Sequence, residues 1–145
     1  MDDGKWISTE MGQVWKPAGK KRAGQTPHAL LKHRCRNALT AFRQAHGLSV
    51  ILLPSIVGRI QTMSGKEISV GKKGQSDDTI MIGKDGVLWG VICPEYKAGS
   101  DQQRPAQKEY QAKCQAVGAI YVICRQPSDL TDALTQLLAQ RGGLF

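Results

Sequence analysis

The chain has 145 residues, of which 41% are hydrophobic and 22% charged, a length and balance expected of one globular domain with a real core. Its 20 Lys/Arg against 12 Asp/Glu give a formal charge of +8, which favours a polyanionic partner. No run of 18 apolar residues occurs, so a helical membrane span is not expected.

The charge is unevenly spread. Residues 1–73 hold 13 Lys/Arg and 4 Asp/Glu, whereas residues 74–145 hold 7 and 8. A basic half joined to a half that carries the candidate acids suits nucleic acid held beside a cation. Residues 1–25 read as a basic N-terminal arm, only partly ordered, with Lys20, Lys21 and Arg22 able to track phosphates. Trp6 and Trp15 imply that something anchors this arm. It has neither the basic start nor the apolar stretch of a secretory signal, so a cytoplasmic location is expected. Cys35, Cys93, Cys114 and Cys124 are widely spaced and fall in predicted helices or strands, as reduced core thiols do.

Residues 26–145 read as the folded domain. Thr26-Pro27 opens a helix, with Thr as N-cap and Pro in the first position, and Gly47 closes it. Leu30, Leu31, Cys35, Ala38, Leu39 and Phe42 recur at three- and four-residue intervals and form its apolar face. Leu48 to Leu53, apolar except at Ser49, is predicted to be a buried strand. Pro54-Ser55 interrupts it, and Ile56 to Thr62 and Glu67 to Val70 read as further strands. Gly71-Lys72-Lys73-Gly74 is a basic loop whose amides and two ammonium groups suit a phosphate.

A hairpin follows. Ser76 to Ile82 and Val87 to Lys97 are strands, and Asp85-Gly86 between them is a strong turn signal. Folding there returns Glu95 and Lys97 to the level of Asp77. Facing residues of an antiparallel pair have a constant sum of sequence numbers; a two-residue turn makes it 171 and sets Asp77 opposite Pro94. Side chains alternate, so Asp77 and Glu95 would then point to opposite faces. A three-residue loop at 84–86, or a bulge absorbing Pro94, brings both carboxylates to one face, and one of these devices is expected. Two such carboxylates repel unless a cation lies between them, and hard oxygen ligands suit Mg²⁺ or Mn²⁺. Lys97, two residues beyond Glu95, projects to the same face.

Beyond Lys97 a polar loop leads through Arg104 to a helix at Pro105, lined on one side by Ala106, Tyr110, Cys114 and Val117 and ended by Gly118. Ala119 to Cys124 is a last buried strand. Ser128 is expected to cap a closing helix through Leu130, Leu134, Leu137 and Leu138.

Asp77-x(17)-Glu95-x-Lys97 on a hairpin resembles the core of the PD-(D/E)xK nuclease superfamily, with Ser76-Asp77 standing for its PD step. The Gly71-Lys72-Lys73-Gly74-Gln75-Ser76-Asp77 approach, Arg59-x-Gln61 before it and Gln107 behind it make the chain similar to the VRR-NUC branch, over roughly residues 26 to 125. Ser76 stands where Pro is usual and Gln61 where Asn is usual, and Pro94 intrudes before Glu95. No Asp or Glu lies between Thr26 and Gly47, where that family's first helix brings an acid; His28 is the nearest positional substitute.

The resemblance implies an α/β fold with a restriction-endonuclease-like αβββαβ core, a mixed sheet flanked by helices. It implies a Mg²⁺- or Mn²⁺-dependent endodeoxyribonuclease acting on branched DNA, four-way (Holliday) junctions above all, as a homodimer. Asp77, Glu95 and the Tyr96 backbone carbonyl would hold the metal, with Lys97 and Gln107 completing the catalytic set. Arg59, Lys72, Lys73, Arg104 and the arm residues Lys20, Lys21 and Arg22 would hold DNA. The alternative from another class is a catalytically inactive nuclease-fold DNA-binding module.

Overall fold

The computed structural model of the protein describes residues 5–9, 12–16, 26–56 and 58–142. Lys20, Lys21 and Arg22 lie outside them. The arm carries an antiparallel hairpin, β1 (Lys5–Thr9) and β2 (Gly12–Lys16), that places Trp6 in register with Trp15. The sequence predicts a partly ordered arm there, without assigned strands.

Helix α1 (Pro27–His46) begins as its caps require: Thr26 Oγ1 accepts from Ala29 N at 3.1 Å, a contact worth about 1 kcal/mol. Strand β3 (Ser49–Pro54) follows, then a separate two-stranded excursion, β4 (Gly58–Gln61) and β5 (Glu67–Val70). Strands β6 (Asp78–Lys84) and β7 (Val87–Tyr96) form the central hairpin. Helix α2 (Pro105–Ala116) then crosses to β8 (Ile120–Cys124), and α3 (Pro127–Gly142) closes the fold. The main sheet runs β3-β6-β7-β8, antiparallel except for the β7–β8 pair that α2 connects. The molecule is thus mixed α/β, with a four-stranded mixed sheet flanked by helices.

One face of this sheet is the main core. Ile80, Ile82 and Ile92 are wholly buried there against Leu31, Cys35 and Leu39 of α1 and Leu130, Leu134 and Leu137 of α3. Each such side chain contributes about 1.5–3 kcal/mol of burial. Among the described residues, the other face is covered where α2 packs, with Cys114 and Tyr110 against Cys93, Tyr121, Val91 and Ile123. Strand β3 is therefore not buried as its apolar run suggests: Ile51 and Leu53 are 55% and 49% exposed on the side that α2 does not reach. An apolar run does not reveal whether both faces of a strand are covered. The four cysteines are buried and free. Burial, and then Cys114 nearby, pushes the Cys93 thiol up to about 12.

The closing helix also starts differently from the expectation. It begins at Pro127, and Asp129 rather than Ser128 serves its entry: Asp129 Oδ2 accepts from Arg125 N at 2.8 Å and Gln126 N at 3.1 Å.

The central hairpin corrects the expected register device. The turn has two residues, Asp85 (φ +52°) and Gly86 (φ +78°), both left-handed as the twist of a tight hairpin demands. Lys84 faces Val87 and Gly83 faces Leu88, but Ile82 then faces Gly90 and Ile80 faces Ile92. A bulge at Trp89 supplies the extra residue, in place of a three-residue loop or a bulge at Pro94. Pro94 instead pairs with Val122 of β8. Carried onward from Ile80 and Ile92, this register brings Asp77 level with Glu95 on one face.

Candidate active site

The chain leaves β7 at Tyr96 and enters β6 at Asp78, so Asp77, Glu95 and Lys97 meet at the rim of the sheet. Asp77 N donates to Glu95 Oε2 at 3.2 Å, and Tyr96 N donates to Asp77 Oδ2 at 2.8 Å. The two carboxylates are locked together through the main chain. Lys97 Nζ lies 3.4 Å from Glu95 Oε1 and 3.6 Å from Asp101 Oδ2. Glu95 and Lys97 are each only 3% exposed, whereas the Asp77 side chain is 24% exposed. Asp77 is thus the acid that reaches solvent.

Gln107 joins the set from the first turn of α2. Its Nε2 donates to Glu95 Oε1 at 2.5 Å, and its Oε1 accepts from Lys97 Nζ at 2.9 Å and from Arg104 N at 2.8 Å. One amide therefore bridges the acid, the amine and the helix start. From composition and periodicity Gln107 is an ordinary exposed helix residue; only the family resemblance pointed to it.

His28, at the start of α1, comes within 3.4 Å of Asp77 Oδ2 through Nε2, and its ring meets Tyr96 edge-on at 6.4 Å. The position suggested by the missing helix acid is thus beside Asp77.

Burial, then the neighbouring Asp77 charge, pushes the Glu95 carboxyl from the ordinary 4.5 up to about 7, against the opposing pull of Lys97. The protein's own groups do not fully compensate two carboxylates here. The donor set fits a hard divalent ion in kind, since Asp77 and Glu95 offer oxygens beside the Tyr96 main chain. It is sparse in number. Among the described residues, no three His, Cys, Asp or Glu side chains are grouped to hold a metal ion.

Directly behind the site lies a second charged cluster that the sequence reading missed. Asp78 is wholly buried on the core face, where Arg36 grips it through Nε at 3.0 Å and Nη2 at 2.5 Å, and Tyr96 Oη donates to it at 2.6 Å. Asp78 raises the Arg36 pKa; burial, then Asp78, raises that of Tyr96. Strand alternation across Asp77-Asp78 was the available signal, since consecutive acids must face opposite sides.

The remaining expected residues border this cluster or lie on other elements. Lys72, Lys73 and Arg104 are exposed along the loop before Asp77 and at the start of α2. Arg59 lies in β4 in register with Ser69, and its side chain is outside the described residues. Gln61 donates to Gly65 O at 3.4 Å within the β4–β5 hairpin. His33 and Asn37 contact one another at 3.2 Å on the exposed side of α1. Among the described residues, no helix is long and apolar enough to cross a membrane.

Comparison with protein-family models, with curated proteins and with solved structures finds no match to this chain.

Proposed function

We propose that the chain is a metal-dependent DNA endonuclease with a restriction-endonuclease-like core of the VRR-NUC kind. The observation that carries this reading is the convergence of Asp77, Glu95, Lys97 and Gln107 at one rim of the sheet. It is supported by the strand–strand–helix–strand order around the site and by the basic first half of the chain.

Asp77 and Glu95, with the Tyr96 backbone carbonyl, would hold Mg²⁺ or Mn²⁺; the few protein ligands leave positions for water and a phosphate oxygen, as Mg²⁺ prefers. A bound ion would lower the pKa of water and offset charge on the phosphate. The chain's own residues do the rest. Lys97, fixed by Glu95, Asp101 and Gln107, presents an ammonium to the attacking water and the phosphate. Gln107 fixes Lys97 and Glu95 relative to one another. His28 neighbours Asp77 at the start of α1.

The substrate reading is branched DNA, four-way junctions above all, cut by a homodimer so that two active sites nick opposing strands. Incubating the protein with labelled linear, flap and four-way DNAs, with and without Mn²⁺, tests it. Paired nicks at the junction are expected. Equal cutting of linear and branched DNA would remove the junction preference, and no cutting of any substrate would remove the nuclease.

One observation favours the second reading, an inactive nuclease-fold DNA-binding module: the sparse ligand count. On that reading DNA binds but Mn²⁺ does not.

A further inference from the structure

The loop from Gly71 to Gln75 runs along the outside of α2 and ends at the candidate active site. Its closest approach is Gly74, where an added Cβ would lie 2.2 Å from the Ala106 carbonyl oxygen. Any side chain there would push the loop off the helix. Between loop and helix lies a cavity of about 600 Å³ lined by Lys73, Gly74, Gln75, Arg104, Ala106 and Gln107. Gln107 belongs both to this cavity and to the cluster around Glu95. Gln107 is therefore a wall common to the groove and the site.

Its charge is one-sided. Among the described residues, neither Lys73 nor Arg104 has a carboxylate partner, and the first turn of α2 carries no acid. Farther along the helix the loop brings Lys72 beside Lys113, and this like-charge neighbour lowers the Lys72 pKa. Lys113 itself has Glu109 at 3.5 Å. Ala106, against which Gly74 lies, and Lys113, beside Lys72, are seven residues apart and so share one face of α2 about 10 Å apart at ~1.5 Å per residue, which spreads the cations along the loop.

We propose that this groove seats an unpaired polynucleotide strand, its phosphates held by Lys73 and Arg104 next to the bond that is cut and by Lys72 and Lys113 beyond. The proposal rests on the nuclease reading for the identity of that bond. A cavity of this size is in the range of small-ligand clefts, ~300–1,000 Å³, and admits one strand but not a double helix. Its lining has cations and amides but no aromatic platform, so it grips backbone and is indifferent to sequence. A branch point is where duplex DNA offers such a strand. The preference for branched DNA then follows from the groove.

The test is fluorescence anisotropy of the full chain in EDTA with a labelled oligothymidylate and a duplex of equal length, across a salt series. The variants are Lys73→Ala, Arg104→Ala and Gly74→Val, with Lys66→Ala in the β4–β5 turn as control. The single strand is expected to bind more tightly than the duplex. Lys73→Ala and Arg104→Ala should each weaken it about five- to tenfold and reduce the log–log salt slope by about 0.7, while Lys66→Ala changes neither. Both cations are exposed, so these variants fold even if Gly74→Val does not. Duplex binding as tight as single-strand binding, or wild-type affinity in both cation variants, overturns the groove. Cleavage in Mn²⁺ is scored separately. Strand binding without cleavage sinks the nuclease reading and leaves the groove, whereas cleavage with unaltered binding does the reverse.

Discussion

Asp77 and Asp78 are neighbours in sequence and opposites in environment. On the core face, Asp78 is answered by the protein itself: two bonds from Arg36 and one from the Tyr96 hydroxyl satisfy a wholly buried carboxylate. On the other face, Glu95 has the Lys97 ammonium and the Gln107 amide, Asp77 has the Tyr96 N–H and the His28 ring, and the Glu95 carboxyl is pushed up to about 7. Tyr96 ties the two clusters, its hydroxyl bound to Asp78 and its backbone N–H to Asp77. Complete internal pairing marks a group that holds the fold together. Two carboxylates set close together at the rim, one of them with a raised pKa, mark a candidate functional pair instead.

Single substitutions can break this contrast. Asp77→Ala or Lys97→Ala is expected to lower cleavage by about 10³-fold or more, at least about 4 kcal/mol of barrier, with DNA binding nearly unchanged. Single-turnover cleavage and a binding assay on the same samples check this; wild-type rates in either variant would end the assignment. Asp78→Ala should act on the fold instead, costing about 3–5 kcal/mol in urea unfolding because Arg36 and Tyr96 lose their shared acceptor. Asp77→Ala should cost less than about 1 kcal/mol in the same experiment. Similar losses at the two positions would erase the distinction.

The pH dependence sharpens it further. Folding raises Glu95 from 4.5 to about 7, so the folded state favours the neutral acid. Stability from this source is complete below pH ~4.5 and is lost as pH rises through 7, on the order of 3 kcal/mol in total. In EDTA, urea midpoints should fall across that window, and Glu95→Gln should flatten the fall. A slope unchanged in Glu95→Gln would place its origin elsewhere. The smallest effect is expected at Gln107. Gln107→Ala should lower kcat about tenfold with little change in KM, because it orients Lys97 and Glu95. A change confined to KM would make Gln107 a binding residue.

Much of this was legible in the sequence, for definite reasons. The Thr26-Pro27 start of α1, the Asp85-Gly86 turn and the Pro105 start of α2 are each written in residues with one dominant local conformation. Hairpin geometry brought Asp77 level with Glu95 and Lys97, but a two-residue turn alone would have left Asp77 and Glu95 on opposite faces. The bulge at Trp89 that makes the register work was signalled only by Gly90, a glycine inside a strand, while Pro94 was the stronger irregularity in the same strand. The openness of β3 was not legible, because it depends on where α2 packs. Arg36 looked like any helix-surface arginine, since its partner Asp78 lies 42 residues away.

Mn²⁺ titration of the metal-free protein, followed by calorimetry, tests the central claim most directly. One saturable site is expected in the wild type, lost in Glu95→Gln and in Asp77→Asn, and retained in an Asp101→Asn control. No saturable binding, or equal binding in all four proteins, would contradict the claim that the two rim carboxylates are a cation site.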